Sequence, residues 1–174
     1  MRPEDQRGSG ERYTVVARTL VFLTRDDKVL LLRGAPTKPL WAGKYNGIGG
    51  HLEPGESPYA SAMRELAEET GLTVARLELR GVVHITLPRP PGIVLFVFVG
   101  TDGGNVAGTD ELKASEEGTP VWVKRARLAS LPLVEDLPEL LPRVLKPGPT
   151  VFAHYTVSDQ GLEVRFDPAE PVAR

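Results

Sequence analysis

The segment Ser57–Thr70 carries a helix signal at each end, and the residues on either side of it read as strand. A Ser57 N-cap accepts from an orphan N–H of the first turn, and Pro58 sits at the first helical position, where its missing N–H costs nothing. Gly71, just past the last turn, can take the left-handed conformation that ends a helix. At about 100° per residue the helix divides into two arcs. Tyr59, Ala60, Met63, Leu66, Ala67 and Thr70 form one; Ser61, Arg64, Glu65, Glu68 and Glu69 form the other. The expectation is that the first arc packs on a sheet while the second, with its carboxylates and one guanidinium, points away from it.

Around this helix the chain is rich in Val, Leu and Phe in short runs. Thr14–Thr24 and Lys28–Arg33 read as a hairpin turning at Asp26–Asp27, and Gly34–Asn46 as a loop. Leu77–Leu87 and Ile93–Thr101 are strand-like and are separated by PRPPG, whose prolines cannot continue a central strand. A polar loop follows over Gly103–Glu117, then a short strand over Val121–Lys124. A helix is expected over Leu137–Leu145 with Pro138 at its start, and a closing hairpin over 151–166 that turns at Asp159–Gly161. Strands on both sides of a well-marked helix imply an α/β fold with a mixed sheet covered by helices. The boundaries expected are a tail over 1–12, one domain over 13–168 and a second tail over 169–174.

Composition removes several kinds of chemistry. With no cysteine among 174 residues there is no thiol nucleophile, Cys-ligated zinc or iron–sulfur cluster. A net charge of -2 argues against coating duplex nucleic acid by charge alone. The polar start, MRPEDQRGSGERY, lacks the apolar segment of a signal peptide, and the longest apolar run, Ile93–Val99, is far short of the roughly 20 residues of a membrane span. The expectation is a soluble, cytoplasmic protein with no membrane partner, either monomer or homodimer.

The acidic arc is the feature that points to chemistry. A charged helix face is often only a solvated one. Here, however, Glu65 with Glu68, and Glu65 with Glu69, are like-charge pairs one turn apart, each costing an isolated helix roughly 0.2–0.5 kcal/mol, and by helical spacing Arg64 relieves only Glu68. Carboxylates on successive turns suit hard Mg²⁺, which holds few protein ligands and fills its shell with water and substrate phosphates. Gly49, Gly50 and Gly55 let the preceding backbone bend, and Glu53 and Glu56 add acids at the helix start.

Gly50, then Glu56, then Arg64-Glu65-Leu66, Glu68-Glu69 and Gly71-Leu72, at these spacings, resemble the full signature of the Nudix hydrolases. The resemblance implies an α/β/α sandwich with a mixed sheet, and Mg²⁺- or Mn²⁺-dependent hydrolysis of a nucleoside diphosphate linked to another group. It implies Glu68, Glu69 and the Gly50 carbonyl as metal ligands, Glu65 as a ligand or as the base that deprotonates the attacking water, Glu56 as a ligand or a group behind the ligands, and Arg64 as the residue that holds the glutamates.

The wider stretch WAGKYNGIGGHLEPGE resembles the MutT-like branch, which includes the oxidised purine nucleoside triphosphate hydrolases. That likeness implies that Asn46 contacts the base; the alternative is that Asn46 only makes the turn before Gly47. Trp41 and Tyr45 either stack on a base or anchor the loop. Of Glu116-Glu117, Glu117 resembles a further ligand or base in relatives, against a solvated loop. Glu135-Asp136 lies where the oxidised-purine enzymes keep a base-reading acid pair, although the Glu departs from that pattern; the alternative is a pair of solvated acids at a helix start. His51 is the one histidine near the metal region, and Lys38, Lys44 or Arg33 could meet substrate phosphates. The expected function is cleavage of a purine nucleoside triphosphate, oxidised or not, to monophosphate and pyrophosphate. The alternatives are a dinucleoside polyphosphate, ADP-ribose, nucleotide-sugar or RNA-end hydrolase, and a non-catalytic nucleotide-binding module.

Overall fold

A computed structural model describes residues 12–101 and 112–168. The expected tails, Arg12 apart, and most of the polar loop after Thr101 lie outside the described residues. In chain order the elements are β1 (Val15–Arg25), β2 (Lys28–Gly34), β3 (Tyr45–Asn46), α1 (Pro58–Thr70), β4 (Leu77–Thr86), β5 (Gly92–Thr101), β6 (Gly118–Lys124), α2 (Leu137–Val144), β7 (Val151–Ser158) and β8 (Gly161–Phe166). A 3-10 turn over Arg125–Ser130 joins β6 to the α2 region. No helix among the described residues is long and apolar enough to cross a membrane.

Alternation along the strands builds two cores, one on each face of the sheet. Leu20 and Phe22 of β1, Val29 and Leu31 of β2 and Leu95 and Val97 of β5 pack with Leu137, Leu140, Leu141 and Val144 of α2. Their neighbours Val21, Leu23, Leu30 and Phe98 pack with Ala62 and Leu66 of α1. A period-two strand buried on both faces requires a helix on each side, which gives the α/β/α sandwich.

The sheet is mixed and forked. β1 runs parallel to β5 along its length, from Val15 opposite Gly92 to Thr24 opposite Thr101, and β4 and β7 are the second parallel pair. β1 and β2 pair only at the root of their hairpin, Thr24 with Val29 and Arg25 with Lys28. β2 then leaves β1, carrying β6 on one edge and, further along, β3 on the other. The seam this opens is filled by residues 48–52. Val21 N–H donates to Ile48 O at 2.6 Å, Thr19 N–H to Gly50 O at 2.9 Å and Leu52 N–H to Ala17 O at 3.2 Å. The chain entering α1 is therefore stitched to β1.

Two expectations change. β6 starts at Gly118 rather than Val121, because Pro120 sits in a strand whose named pairing is with β2 alone, where a missing N–H on the other edge breaks no ladder. The acidic arc of α1 does not all point to solvent: Ser61 is fully buried and Glu69 is 6% exposed, whereas Tyr59 on the supposed inner arc is 41% exposed. The seam residues form a second surface for α1 to pack on, so the buried stripe rotates toward them.

The helix ends are as expected. Ser57 Oγ accepts from Ala60 N–H at 3.1 Å, and Gly71, at φ 75°, donates its N–H to Ala67 O at 2.9 Å. Ser57→Ala should cost about 1 kcal/mol by urea denaturation, with Ser57→Asp restoring it. Leu66→Ala, which empties a fully buried site, should cost about 2–5 kcal/mol; a neutral result for Leu66→Ala would contradict the packing of α1.

Candidate active site

Arg64 reaches back from α1 to the turn before it. Its Nε and Nη2 donate to the two carboxylate oxygens of Glu56 at 3.2 and 2.8 Å, a bidentate fork. Nη1 donates to Glu65 Oε1 at 3.0 Å and to Glu68 Oε2 at 3.1 Å, and Nη2 also donates to the His51 carbonyl at 3.2 Å. Arg64 thus relieves three carboxylates, not the one that helical spacing suggested, because its long side chain lies across the helix start. The hydrogen bond from Arg64, with another from Glu53 N–H at 2.6 Å, holds the Glu56 carboxyl down at about 2. In turn the Glu56 carboxylate raises the pKa of Arg64 further.

Glu69 lies deeper. Burial pushes its carboxyl up to about 7, against the hydrogen bond it accepts from Gly49 N–H at 3.3 Å; the charges of Glu65 and Glu117 add to the rise and that of Lys38 opposes it. Glu65 is held against Gly50, where a Cβ would lie 2.3 Å from Glu65 Oε1. A side chain at position 50 would push that carboxylate from its present place. Glu117, from the turn before β6, is paired with Lys38 of the 34–44 loop, so a residue far away in sequence joins the same electrostatic neighbourhood. The Gly50 carbonyl accepts from Thr19 N–H, which leaves its second lone pair for another partner.

A second group of predicted residues gathers where β3 meets the approach to α2. Tyr45 N–H donates to Pro132 O at 2.9 Å, and Val134 N–H to Tyr45 O at 3.0 Å. Lys44 pairs with Glu135, and its hydrogen bond, with a smaller one from Trp41, lowers the Glu135 pKa. Burial raises the pKa of Asp136, which heads α2 without using its carboxylate as a cap. Asn46 Oδ1 accepts from Gly47 N–H at 2.8 Å, the turn-making contact weighed above. Trp41 takes the left-handed conformation, φ 61°, unusual for a bulky side chain and a mark of a loop held in shape by its surroundings. The Tyr155 hydroxyl is buried and without a hydrogen-bond partner among the described residues, and burial, with the neighbouring Asp136 second, raises its pKa; the sequence reading missed it, since a Tyr in an apolar strand carries no local signal. Ser61 was missed too, although its hydroxyl lies 3.4 Å from the His51 carbonyl and so ties α1 to the seam.

The two groups are joined by residues 45–50, so the acids and the 41–46 and 132–136 segments border one region. Glu56, Glu65 and Glu68 converge on Arg64, while Glu69 accepts from Gly49 and Glu117 pairs with Lys38, and among the described residues no three carboxyl or imidazole groups form a ready cation cage. The donor set nevertheless suits a hard divalent cation. Glu69 is a buried carboxylate facing two like charges, and Glu68, 59% exposed at its side chain, is held among the described residues by one contact to Arg64. A cation would offset the repulsion at little cost in broken contacts.

The profile of the NUDIX domain matches residues 14–144. An uncharacterised Nudix hydrolase of Bacillus subtilis (strain 168) is 31% identical over 158 residues, covering 86% of this chain and 93% of that protein. The oxidized purine nucleoside triphosphate hydrolase of Mus musculus is 30% identical over 152 residues, covering 87% of this chain and 93% of that protein. The crystal structure of the mutator MutT protein from Bacillus halodurans matches with a TM-score of 0.74 at 29% identity, over 90% of this chain and 100% of that one. The fold, the glutamate-bearing helix with its glycine approach, and these likenesses agree: the chain belongs to the Nudix family and is a hydrolase of pyrophosphate bonds.

Proposed function

We propose that this protein hydrolyses a purine nucleoside triphosphate, with oxidised purines among its substrates, to the monophosphate and pyrophosphate in a divalent-cation-dependent reaction. The observation that carries the reading is the buried Glu69, held on Gly49 N–H and facing Glu117 and the Glu65 carboxylate that lies against Gly50. Glu56, Glu65, Glu68, Glu69 and the Gly50 carbonyl are the groups that would hold Mg²⁺ or Mn²⁺. When bound, the ion neutralises charge developing on phosphoryl oxygens and makes a water more acidic.

The rest of the chemistry falls to side chains. Glu65, fixed by Arg64 and by its seat on Gly50, accepts the proton of the attacking water; Glu117, which like Glu65 bears on Glu69, is the other carboxylate suited to that role. Arg64 keeps Glu65 from turning toward solvent. Lys38 and Lys44, each paired to an acid at the rim, are free to exchange those partners for phosphate oxygens.

The base is read by Asn46, Asp136 and Glu135, with Trp41 and Tyr45 beside them. An amide offers a purine edge both a donor and an acceptor. A half-buried Asp136 with a raised pKa can hold a proton and donate it to a ring nitrogen or oxygen, while Glu135, kept charged by Lys44, accepts. The mouse relative, named for oxidised purine nucleoside triphosphates, supports this substrate class.

Glu69→Gln keeps the shape and the acceptor for Gly49 N–H. It should lower turnover by about 10²-fold or more while leaving the stability of the metal-free protein unchanged or raised; normal turnover would contradict the assignment. Mg²⁺ with a non-hydrolysable nucleoside triphosphate at about 100 times Kd should stabilise the protein by about 2.7 kcal/mol in thermal unfolding, and chelator should abolish the shift. Asp136→Asn and Asn46→Ala should change the ratio of kcat/KM between an oxidised and an unmodified purine triphosphate more than they change kcat on the better one. Equal loss on both substrates would make these two residues structural.

A further inference from the structure

Away from the acids, a cavity of about 520 Å³ opens between the ends of β1 and β5, the start of β4 and the C-terminus of α2. β1 links the two regions: Thr19 bonds Gly50 beside the acids, and Thr24 lines the cavity, five residues further on, about 17 Å at roughly 3.3 Å per residue. Among the described residues, the cavity is lined by Arg76, Arg80, Arg125 and Lys146 with Glu78 as the one carboxylate. That is a concentrated positive charge on a chain of net charge -2.

The fold uses only part of this charge. Arg80 spends its guanidinium on the carbonyls of Val144, Lys146 and Gly148, closing the end of α2. It thereby occupies the carbonyl oxygens that would otherwise offset the neighbouring cations. Arg76 meets Glu78 only at 3.6 Å, with both side chains largely exposed. Arg125 and Lys146 enter no ion pair among the described residues. Just beside Arg125, Lys28 and Lys124 stand directly opposite each other on β2 and β6, a like-charge cross-strand pair that costs stability. The cavity lining thus carries four cationic side chains against one carboxylate among the described residues.

The lining also carries aliphatic side chains: Val99, and Leu145 and Pro147 on either side of Lys146. Cations interleaved with apolar side chains, in a volume within the range of ligand pockets, fit a phosphate ester with a flat or sugar-like body. We propose that this cavity is a second site that binds a nucleoside monophosphate, its phosphate on Arg125 and Lys146 and its nucleoside against the aliphatic side chains of Val99, Leu145 and Pro147. The site is independent of the acid cluster and of any cation there.

The test is titration calorimetry of the full chain with GMP and, separately, with inorganic pyrophosphate, in chelator so that the acid cluster holds no divalent cation. The expected result is GMP binding that weakens as salt is raised, at least 10-fold weaker in Arg125→Glu/Lys146→Glu and unchanged in Glu69→Gln. The milder Arg125→Gln/Lys146→Gln pair, checked for native circular dichroism, should weaken binding in the same direction and so covers a failure of the charge-reversed pair to fold. No GMP binding by the wild-type chain, or binding that survives both double substitutions, overturns the site. Pyrophosphate binding as tight as GMP overturns the nucleoside part.

Discussion

The guanidinium of Arg64 is the contact on which the site is built. It takes Glu56 in a bidentate fork, touches Glu65 and Glu68, and reaches the His51 carbonyl. These partners come from two different stretches, the turn before α1 and α1 itself, so one planar group fixes the rotation of the helix against the segment that enters it. Without a cation the acids repel one another, and Arg64 is what lets them stand together in the folded protein. A lysine, with one compact charge and no fork, cannot reproduce that set.

The fork in the sheet gives this contact its place. β1 and β2 separate after two paired residues on each strand, and the chain at 45–52 fills the seam. The seam's first part, at Tyr45 and Asn46, faces the 132–136 segment and the acids at Glu135 and Asp136. Its last part, at Gly49 and Gly50, faces Glu65 and Glu69. Groups suited to a base and groups suited to a cation and phosphates are therefore held by one short segment, and a nucleotide is the kind of molecule with both ends.

Local chemistry was legible in the sequence, and long-range chemistry was not. The ends of α1 were readable because Ser57, Pro58 and Gly71 each act on backbone within a few residues, and the hairpins at Asp26–Asp27 and Asp159–Gly161 for the same reason. The spacing of the glutamates carried the family, and the family carried the sandwich. The inner face of α1 was misread because helical periodicity assumes one packing surface, while the seam supplies a second; Ser61 and Glu69 turn toward it. The start of β6 was hidden by Pro120, a residue that speaks against strands unless its edge is unpaired. Nothing local announces that Lys38 meets Glu117 or that Lys44 and Trp41 meet Glu135, since each pair is brought together only by the folding of β6 and α2 around the 34–46 loop.

The central claim is that these acids direct water at the bond between the α- and β-phosphoryl groups of a nucleoside triphosphate. Phosphorus NMR of the products of 8-oxo-dGTP turnover with Mg²⁺ tests it most directly. The account predicts nucleoside monophosphate and pyrophosphate in equal amounts with no orthophosphate formed first. Nucleoside diphosphate with orthophosphate, or no turnover by protein that still binds the nucleotide, would contradict it.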